Sequence, residues 1–204
     1  MKSFFRKVAF GLKPEEKAPS DPLTWAQKQV ETIPELNWKG KYILSEKEMR
    51  KHWITQRVEE NTTLRKKFKN DPQGLKKAEK LLEYKTGRQF WKSNEICMRH
   101  AEGIRSNTPV LAKLWYFWTN HFTISDTQSL ASFSTGAYQR EFIRANMDKK
   151  FETMAIEATI AWPMMMHLDN KDNVGPKSKS AKSEWRRREK RPATINENHA
   201  RELL

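Results

Sequence analysis

Residues 109–122 read PVLAKLWYFWTNHF and carry the most regular apolar pattern in the chain. Apolar side chains recur there every three or four residues, which is the spacing of one face of an α-helix: Leu111, Leu114, Trp115, Trp118 and Phe122. Pro109 stands where helices accept proline, in the first turn. We therefore predict a helix that begins at Pro109, buries a broad apolar face and ends near His121.

Helix signals continue on both sides of this segment. Asp21 followed by Pro22 is typical of a helix N-cap with proline in the first turn, and Ser45 with Glu48 has the pattern of a capping box. Apolar residues also recur at helical spacing in three further segments, residues 75–89, 138–143 and 151–162. The chain has seven glycines and no alternating run of β-branched residues, which argues against a sandwich, a barrel or a Rossmann-type sheet.

These signals predict one all-α domain, an irregular array of five to eight helices over residues 1–204. Pro163 is expected to end or restart a helix, because proline lacks the backbone N–H that a helix interior needs. Thr194 to Glu197 forms a second capping-box pattern, and the helix that it opens would run to Leu204. Because the sequence stops within that helix, we expect these residues to be the N-terminal part of a larger helical domain.

The chain is strongly basic, with 39 lysine and arginine residues, 25 acidic residues and a net charge of +14. Residues 65–92 contain ten basic and three acidic side chains, and residues 171–191 contain nine and three. The second stretch also holds Gly, Pro and Ser and is predicted to be a basic loop. Such surfaces are either simply solvated or attract polyanions such as nucleic acid. In the polyanion alternative, five side chains beside Trp185 would hold phosphates: Arg186, Arg187, Arg188, Lys190 and Arg191.

The sequence contains no run of about 18 apolar residues, the length that a membrane-spanning helix needs. Residues 1–17 hold too short an apolar stretch for a secretory signal, and no small-residue cleavage site follows them. Taken as it stands, the sequence therefore predicts a cytoplasmic protein without a membrane span.

Several short motifs occur in a fixed order along the chain: Phe10-Gly11-Leu12 followed by Pro14-Glu15, then residues 118–122, 138–141, 163–170 and 196–204. In this order they resemble the bacterial family called domain of unknown function 1800. The last motif, Asn196-Glu197-Asn198-His199-Ala200-Arg201-Glu202-Leu203-Leu204, is the most specific of them. In the family it continues into a Glu-Leu-His-Thr-type segment, so the resemblance covers the N-terminal portion of a usual member.

The resemblance implies an α-helical protein but carries over no established activity. Family members are commonly exported, which makes a periplasmic or secreted protein the alternative to a cytoplasmic one. Their genes often neighbour those of a second exported family, domain of unknown function 1501, which resembles sulfatases and phosphatases and is the implied partner. This chain departs from the pattern by lacking an export signal and by its basic insertion between Asn170 and Asn196.

The candidate site consists of the polar side chains at the matched motifs: Asn120, His121, Arg140, Glu141, Asp169, Asn170, Asn196, Glu197, Asn198, Arg201 and Glu202. One interpretation is a buried structural network, in which arginines pair with carboxylates and fix how the helices cross. The alternative is that His121, Asp169 and Glu197 bind a divalent metal ion or an anion, with a hydrolase-related role. Helix-bundle metal sites also draw imidazole and carboxylate ligands from facing helices, although their usual Glu-x-x-His spacing is absent here.

Overall fold

A computed structural model describes residues 2–38, 43–53, 58–86, 88–125, 133–182 and 195–202. Within these ranges there is no strand, so the predicted all-α class is confirmed. Seven helices come first: α1 (Lys2–Val8), α2 (Pro22–Lys28), α3 (Glu46–Lys51), α4 (Val58–Lys67), α5 (Pro72–Thr86), α6 (Arg88–Arg105) and α7 (Pro109–His121). Four shorter or later ones follow: α8 (Thr135–Tyr138), α9 (Phe151–Ile160), α10 (Trp162–His167) and α11 (Asn198–Arg201).

The predicted helix starts at Asp21 and Ser45 are confirmed by their capping hydrogen bonds. The Asp21 carboxylate accepts the backbone N–H groups of Leu23 and Thr24 at 3.1 and 3.2 Å. The Ser45 hydroxyl accepts the Glu48 N–H, and the Glu48 carboxylate accepts the Ser45 N–H at 2.8 Å, which closes the capping box. Each cap satisfies backbone donors that the first turn of a helix leaves without a partner.

The main core lies around α7, as the apolar pattern of residues 109–122 predicts. Trp115 is 1% exposed, and its indole N–H donates to the Gln139 carbonyl at 2.9 Å. This side chain packs in one cluster with residues of α8, α9 and α10 and of the segments between them: Phe122, Ile124, Tyr138, Ile143, Met154, Ala158, Ala161, Met164 and Leu168. Burial of such large side chains is the dominant favourable contribution to a fold of this kind.

A second, smaller cluster joins α3 and α6 to the start of α8. It consists of Met49, Trp91, Phe133 and Ala137. The ring centroids of Trp91 and Phe133 lie 6.2 Å apart in an edge-to-face arrangement. The two clusters meet at α8, so this one-turn helix is packed from both sides.

The segment after α8 is not the regular helix that its apolar spacing predicts. Gln139–Ile143 forms a π-helix, and Arg144–Asn146 continues it as a 3₁₀-helix. Such wide turns inside helices are rare and occur frequently at functional sites. The predicted break near Pro163 is confirmed, because Ala161 is extended at φ −58° and ψ 138° between α9 and α10. These divisions explain why the described residues contain eleven α-helices, more than the five to eight expected.

The last helix begins later than the sequence pattern suggests. Thr194 lies outside the described residues, and α11 starts at Asn198 with Glu197 as its N-cap. No capping hydrogen bond from the Glu197 side chain occurs within the described ranges. The Asn196 side chain accepts the Asn198 N–H at 3.0 Å instead, so the carboxamide two residues upstream takes the capping role.

The predicted basic loop is described over residues 171–182, where a 3₁₀ turn, Asn170–Asp172, leads into further turns. In the described part of the chain, no helix is both long and apolar enough to cross a bilayer.

Candidate functional site

The structure does not bring His121, Asp169 and Glu197 together. Across the ranges that it describes, no three His, Cys, Asp or Glu side chains are grouped so that they could hold a metal ion. His121 is exposed at the end of α7, where its ring packs against Phe117 and Trp118 with centroid distances of 6.4 and 5.7 Å. The ring is thus part of an aromatic surface rather than of a ligand set.

The other two members of that set are also engaged locally. The Asp169 carboxylate lies 3.1 Å from the Lys171 ammonium, and the Glu197 carboxylate lies 3.8 Å from the Arg201 guanidinium. Both side chains of the second pair are more than half exposed. These contacts are local, and His121, Asp169 and Glu197 do not form a ligand set in the part of the chain that the structure describes.

Among the remaining C-terminal motif residues, the Asn196 N–H donates to the Asn173 side chain, 23 residues away, and Asn170, Asn198 and Arg201 contact near neighbours in sequence. The Asn170 carboxamide accepts the Asn173 amide, and the Asn198 side chain accepts the Arg201 guanidinium at 3.1 Å. Glu202 is exposed at the end of α11. The five basic residues of the polyanion alternative lie outside the described residues, so that hypothesis stays a prediction: Arg186, Arg187, Arg188, Lys190 and Arg191.

Arg140 lies at the centre of a buried charge cluster, whose other members are Glu95 and Glu141. Its guanidinium makes a forked contact with Glu95 of α6, with Nε 3.1 Å from Oε2 and Nη2 2.9 Å from Oε1. Nη2 also donates to the Leu44 carbonyl at 2.6 Å. The two charged side chains are 13% and 6% exposed. A pair so buried needs this geometry, because desolvation of two charges costs several kcal/mol unless hydrogen bonds replace the lost water.

Glu141, the next residue of the π-helix, caps α3 from another part of the chain. Its carboxylate oxygens accept the Glu46 backbone N–H at 3.1 and 3.2 Å. The Glu46 carboxylate is itself buried and lies 3.6 Å from the Arg50 guanidinium. Burial raises the pKa of Glu46; the Arg50 charge opposes this shift, and the nearby Glu141 carboxylate adds to it. Burial likewise raises the pKa of Glu141, against the Glu46 N–H and the Arg140 charge.

Replacement of Glu46 by glutamine is expected to remove part of the decrease in the free energy of unfolding that accompanies rising pH. A carboxyl group whose pKa is raised on folding contributes stability below its unfolded pKa, and this stability is lost as pH rises through the folded pKa. The Glu46→Gln variant lacks that loss. Its free energy of unfolding, measured by urea denaturation between pH 4 and pH 7, should therefore increase relative to the wild-type value as pH rises.

Glu48→Gln is the matched control from the same helix. The Ser45 N–H and hydroxyl hold the pKa of Glu48 below its ordinary value, so its contribution is present above the unfolded pKa and lost in acid. This variant should lose stability relative to wild type as pH rises. Parallel pH profiles for the two variants would contradict the assignment of opposite shifts.

A polar cavity of about 200 Å³ lies beside the buried charge cluster, between α6, α7 and α8. Most of its lining side chains are polar or charged: Lys92, Glu95, Arg99, Thr119, Asn120, Thr123, Thr135 and Gln139. Asn120 and Gln139 belong to the matched motifs, and Arg140 holds the Glu95 carboxylate in the wall. The cavity thus connects the motif residues of α7 with those of the π-helix.

Arg99 is the cationic group whose hydrogen bonds are incomplete in this cavity. Its Nη1 donates to the Gln139 side-chain oxygen, and its guanidinium stacks over the Tyr116 ring, 5.0 Å from the centroid. Its Nε is buried, and no acceptor for this group occurs among the described residues. A buried donor without a partner costs about 1–3 kcal/mol, so an acceptor supplied by a ligand would be favourable.

Sequence reasoning missed Glu46, Glu95 and Arg99. A signal for the last two was present, because Lys92, Glu95, Ile96 and Arg99 follow the i, i+3, i+4, i+7 pattern of one helix face. Three of these four side chains are charged, on a helix whose neighbouring residues Trp91 and Phe90 pack into the second core cluster. A charged stripe next to a buried aromatic residue indicates charges that are paired in the interior.

Comparison with known proteins adds one match. A family model described as "Protein of unknown function (DUF1800)" matches residues 3–204. No curated protein and no solved structure matches the chain.

Proposed function

Because this chain belongs to the DUF1800 family, whose description assigns no activity, we propose from its geometry that it binds a small oxyanion in the polar cavity. The chemical group that fits is the carboxylate or phosphate of a ligand. The observation that carries the proposal is Arg99, whose side chain lines the cavity and whose buried Nε has no acceptor within the described ranges.

The charges around the cavity favour an anion. Arg99 carries a positive charge and donates to the uncharged Gln139 side chain, and Glu95 is the acidic side chain in the lining. The Glu95 charge is matched by Arg140, which holds both carboxylate oxygens within 3.1 Å. The local balance is therefore positive, and the net charge of +14 would further attract an anionic ligand from solution.

Neutral donors in the lining suit an oxyanion as well. Thr123 carries a hydroxyl group and Asn120 carries an amide, on one stretch at the end of α7. The Thr119 hydroxyl also lines the cavity, but it donates its proton to the Tyr116 carbonyl at 2.9 Å and is not a donor for the ligand. Hydrogen bonds from such groups to an anion are shorter and stronger than those between neutral partners.

Isothermal titration calorimetry with inorganic phosphate, and separately with acetate, tests the proposal. We expect saturable binding of at least one of the two anions. Arg99→Gln should raise its Kd by about tenfold or more, because a hydrogen bond to a charged group contributes about 1.5–3 kcal/mol. Arg99→Lys should fall between wild type and Arg99→Gln, since it keeps the charge but loses the forked donor geometry.

Arg105→Gln is the matched control, because this arginine is exposed at the end of the same helix and does not line the cavity. Its Kd should equal the wild-type value. Thermal melts verify that each variant is folded, and Thr123→Val, a change at an exposed lining residue, provides a second test with little risk to the fold. Equal affinities of Arg99→Gln and Arg105→Gln, or no binding of either anion, would refute the proposal.

A further inference from the structure

A second concave site lies at the C-terminal end of α6 and the N-terminal half of α7, and it shares no lining residue with the polar cavity. Residues Phe10, Gly11 and Leu12 form one wall of a cleft of about 480 Å³, and side chains of α6 and α7 form the other. Its volume falls in the range of about 300–1,000 Å³ that is typical of small-molecule sites. Phe10 is 51% exposed and Ile104, on the opposite wall, is 76% exposed, so apolar surface is accessible in the cleft.

The cleft is held open by two glycines. Gly11 has a positive φ of 101°, which lets the chain turn back so that its N–H donates to the Phe5 carbonyl at 3.2 Å. Gly103 faces the rings of Phe10 and Tyr116, each 3.5 Å from the position that a Cβ atom would take. A larger side chain at Gly103 would therefore project between the two walls and fill the cleft.

Two lysines fix the wall that carries Phe10. The Lys113 ammonium donates to the carbonyls of Arg6 and Ala9 at 2.6 and 2.9 Å. The Lys13 ammonium donates to the Arg105 carbonyl at 3.2 Å. These contacts, made between residues far apart in sequence, organise the cleft without a ligand, which reduces the entropic cost of binding one.

The cleft offers aromatic faces with a polar edge. The rings of Phe10 and Tyr116 meet edge to face, with centroids 5.6 Å apart. The Tyr116 hydroxyl oxygen lies 2.9 Å from His100 Nδ1, within hydrogen-bond distance, and both residues line the cleft. A flat apolar group can pack against the accessible faces of such rings, because aromatic side chains stack favourably on planar partners.

A basic cavity adjoins the cleft. It has a volume of about 430 Å³ and shares Phe10, Gly11, Leu12 and Glu16 with it. The Glu16 carboxylate accepts the Lys13 backbone N–H at 3.2 Å. Lys2 and Arg6, which are four residues apart on α1, also line this cavity. A ligand in the cleft can thus direct a negative group past Gly11 towards two positive charges.

We propose that this cleft and the adjoining basic cavity form a binding site for a ligand with a flat apolar body and an anionic group. The aromatic walls bind the apolar body, and Lys2 and Arg6 attract the anion. This site is separate from the polar cavity, so its existence does not depend on the oxyanion proposal.

Fluorescence titration with anilinonaphthalene sulfonate, a flat apolar anion, tests the inference, and phenylnaphthylamine serves as the uncharged probe. We expect saturable binding of the sulfonate. Gly103→Leu, which fills the cleft within a helix that leucine favours, should raise its Kd roughly tenfold. Arg6→Gln should weaken the sulfonate about two- to fivefold, as expected for an exposed charge contact, and should leave the uncharged probe unchanged.

Leu81→Ala is the control, because it alters another apolar groove, between α4 and α5, which offers the probe an alternative apolar surface. It should leave the affinity unchanged. Ile104→Glu, at an exposed position of the cleft, is a second variant that does not threaten the fold and should repel the sulfonate. Loss of binding in Leu81→Ala with no effect of Gly103→Leu and Ile104→Glu would overturn the inference, and so would the absence of saturable binding.

Discussion

Replacement of Glu95 by alanine is expected to lower the free energy of unfolding by about 3–5 kcal/mol. Arg140 would then lose its forked contact and would keep the Leu44 carbonyl as its acceptor, with the Glu141 carboxylate 3.8 Å from Nη1 as a more distant counter-charge. A buried charge that loses its main partner is among the most costly defects that a single substitution can create. Urea denaturation monitored by circular dichroism measures the change.

Glu15→Ala is the control for this substitution, because Glu15 is exposed in the segment between α1 and α2. It should change stability by less than about 0.5 kcal/mol. In a double-mutant cycle, the combination of Glu95→Leu with Arg140→Met should cost much less than the sum of the two single changes, since both charges leave together. Equal effects of Glu95→Ala and Glu15→Ala would show that the pair does not stabilise the fold.

Gly136→Ala is expected to have the second large effect. A Cβ atom at this position of α8 would lie 2.2, 2.4 and 2.6 Å from the Cγ, Cβ and Cδ atoms of Glu95. The Glu95 side chain cannot move aside without breaking its contact with Arg140. We expect a loss of about 1–3 kcal/mol from overpacking, towards the upper end because the ion pair must shift as well.

The control for this change is Gly103→Ala in α6, where the added Cβ would meet its neighbours at an ordinary 3.5 Å. A helical glycine in open surroundings should gain about 0.4–1 kcal/mol on replacement by alanine. The two Gly→Ala substitutions therefore have opposite predicted signs. In the Glu95→Ala background, Gly136→Ala should lose part of its cost, because the clashes with Cγ and Cδ disappear while the Cβ atom at position 95 stays 2.4 Å from the added one. A cost that is unchanged in that background would contradict this account.

The positions of several helix starts could be read from the sequence. Asp21 and Ser45 accept N–H groups two or three residues further along the chain, so the donor and the acceptor lie within one turn. Pro109 likewise acts locally, because its fixed φ suits a helix and the first turn of α7 does not need the N–H that proline lacks. Local chemistry of this kind does not depend on the rest of the fold, which is why a short pattern is enough to predict it.

The candidate site was only partly predictable. The matched motifs included Arg140, Glu141 and Asn120, which the structure places in or beside the buried charge cluster and the polar cavity. They also included His121 and Glu197, whose side chains are exposed. A motif marks which residues recur together, and it carries no information about which of them share a site in space.

Tertiary structure alone decided which charges meet. Glu95 and Arg140 are 45 residues apart, and the Glu141 carboxylate accepts an N–H from a residue 95 positions away. These pairings depend on how α3, α6 and the π-helix pack around the two core clusters, and helical spacing constrains only contacts within about one turn. The sequence by itself determined the all-α class and several of the helix starts, because those follow from backbone hydrogen bonds between near neighbours. The charge cluster and the cavities follow from long-range packing. A charge that becomes buried needs a hydrogen-bonded partner, and here that partner lies on a helix distant in sequence.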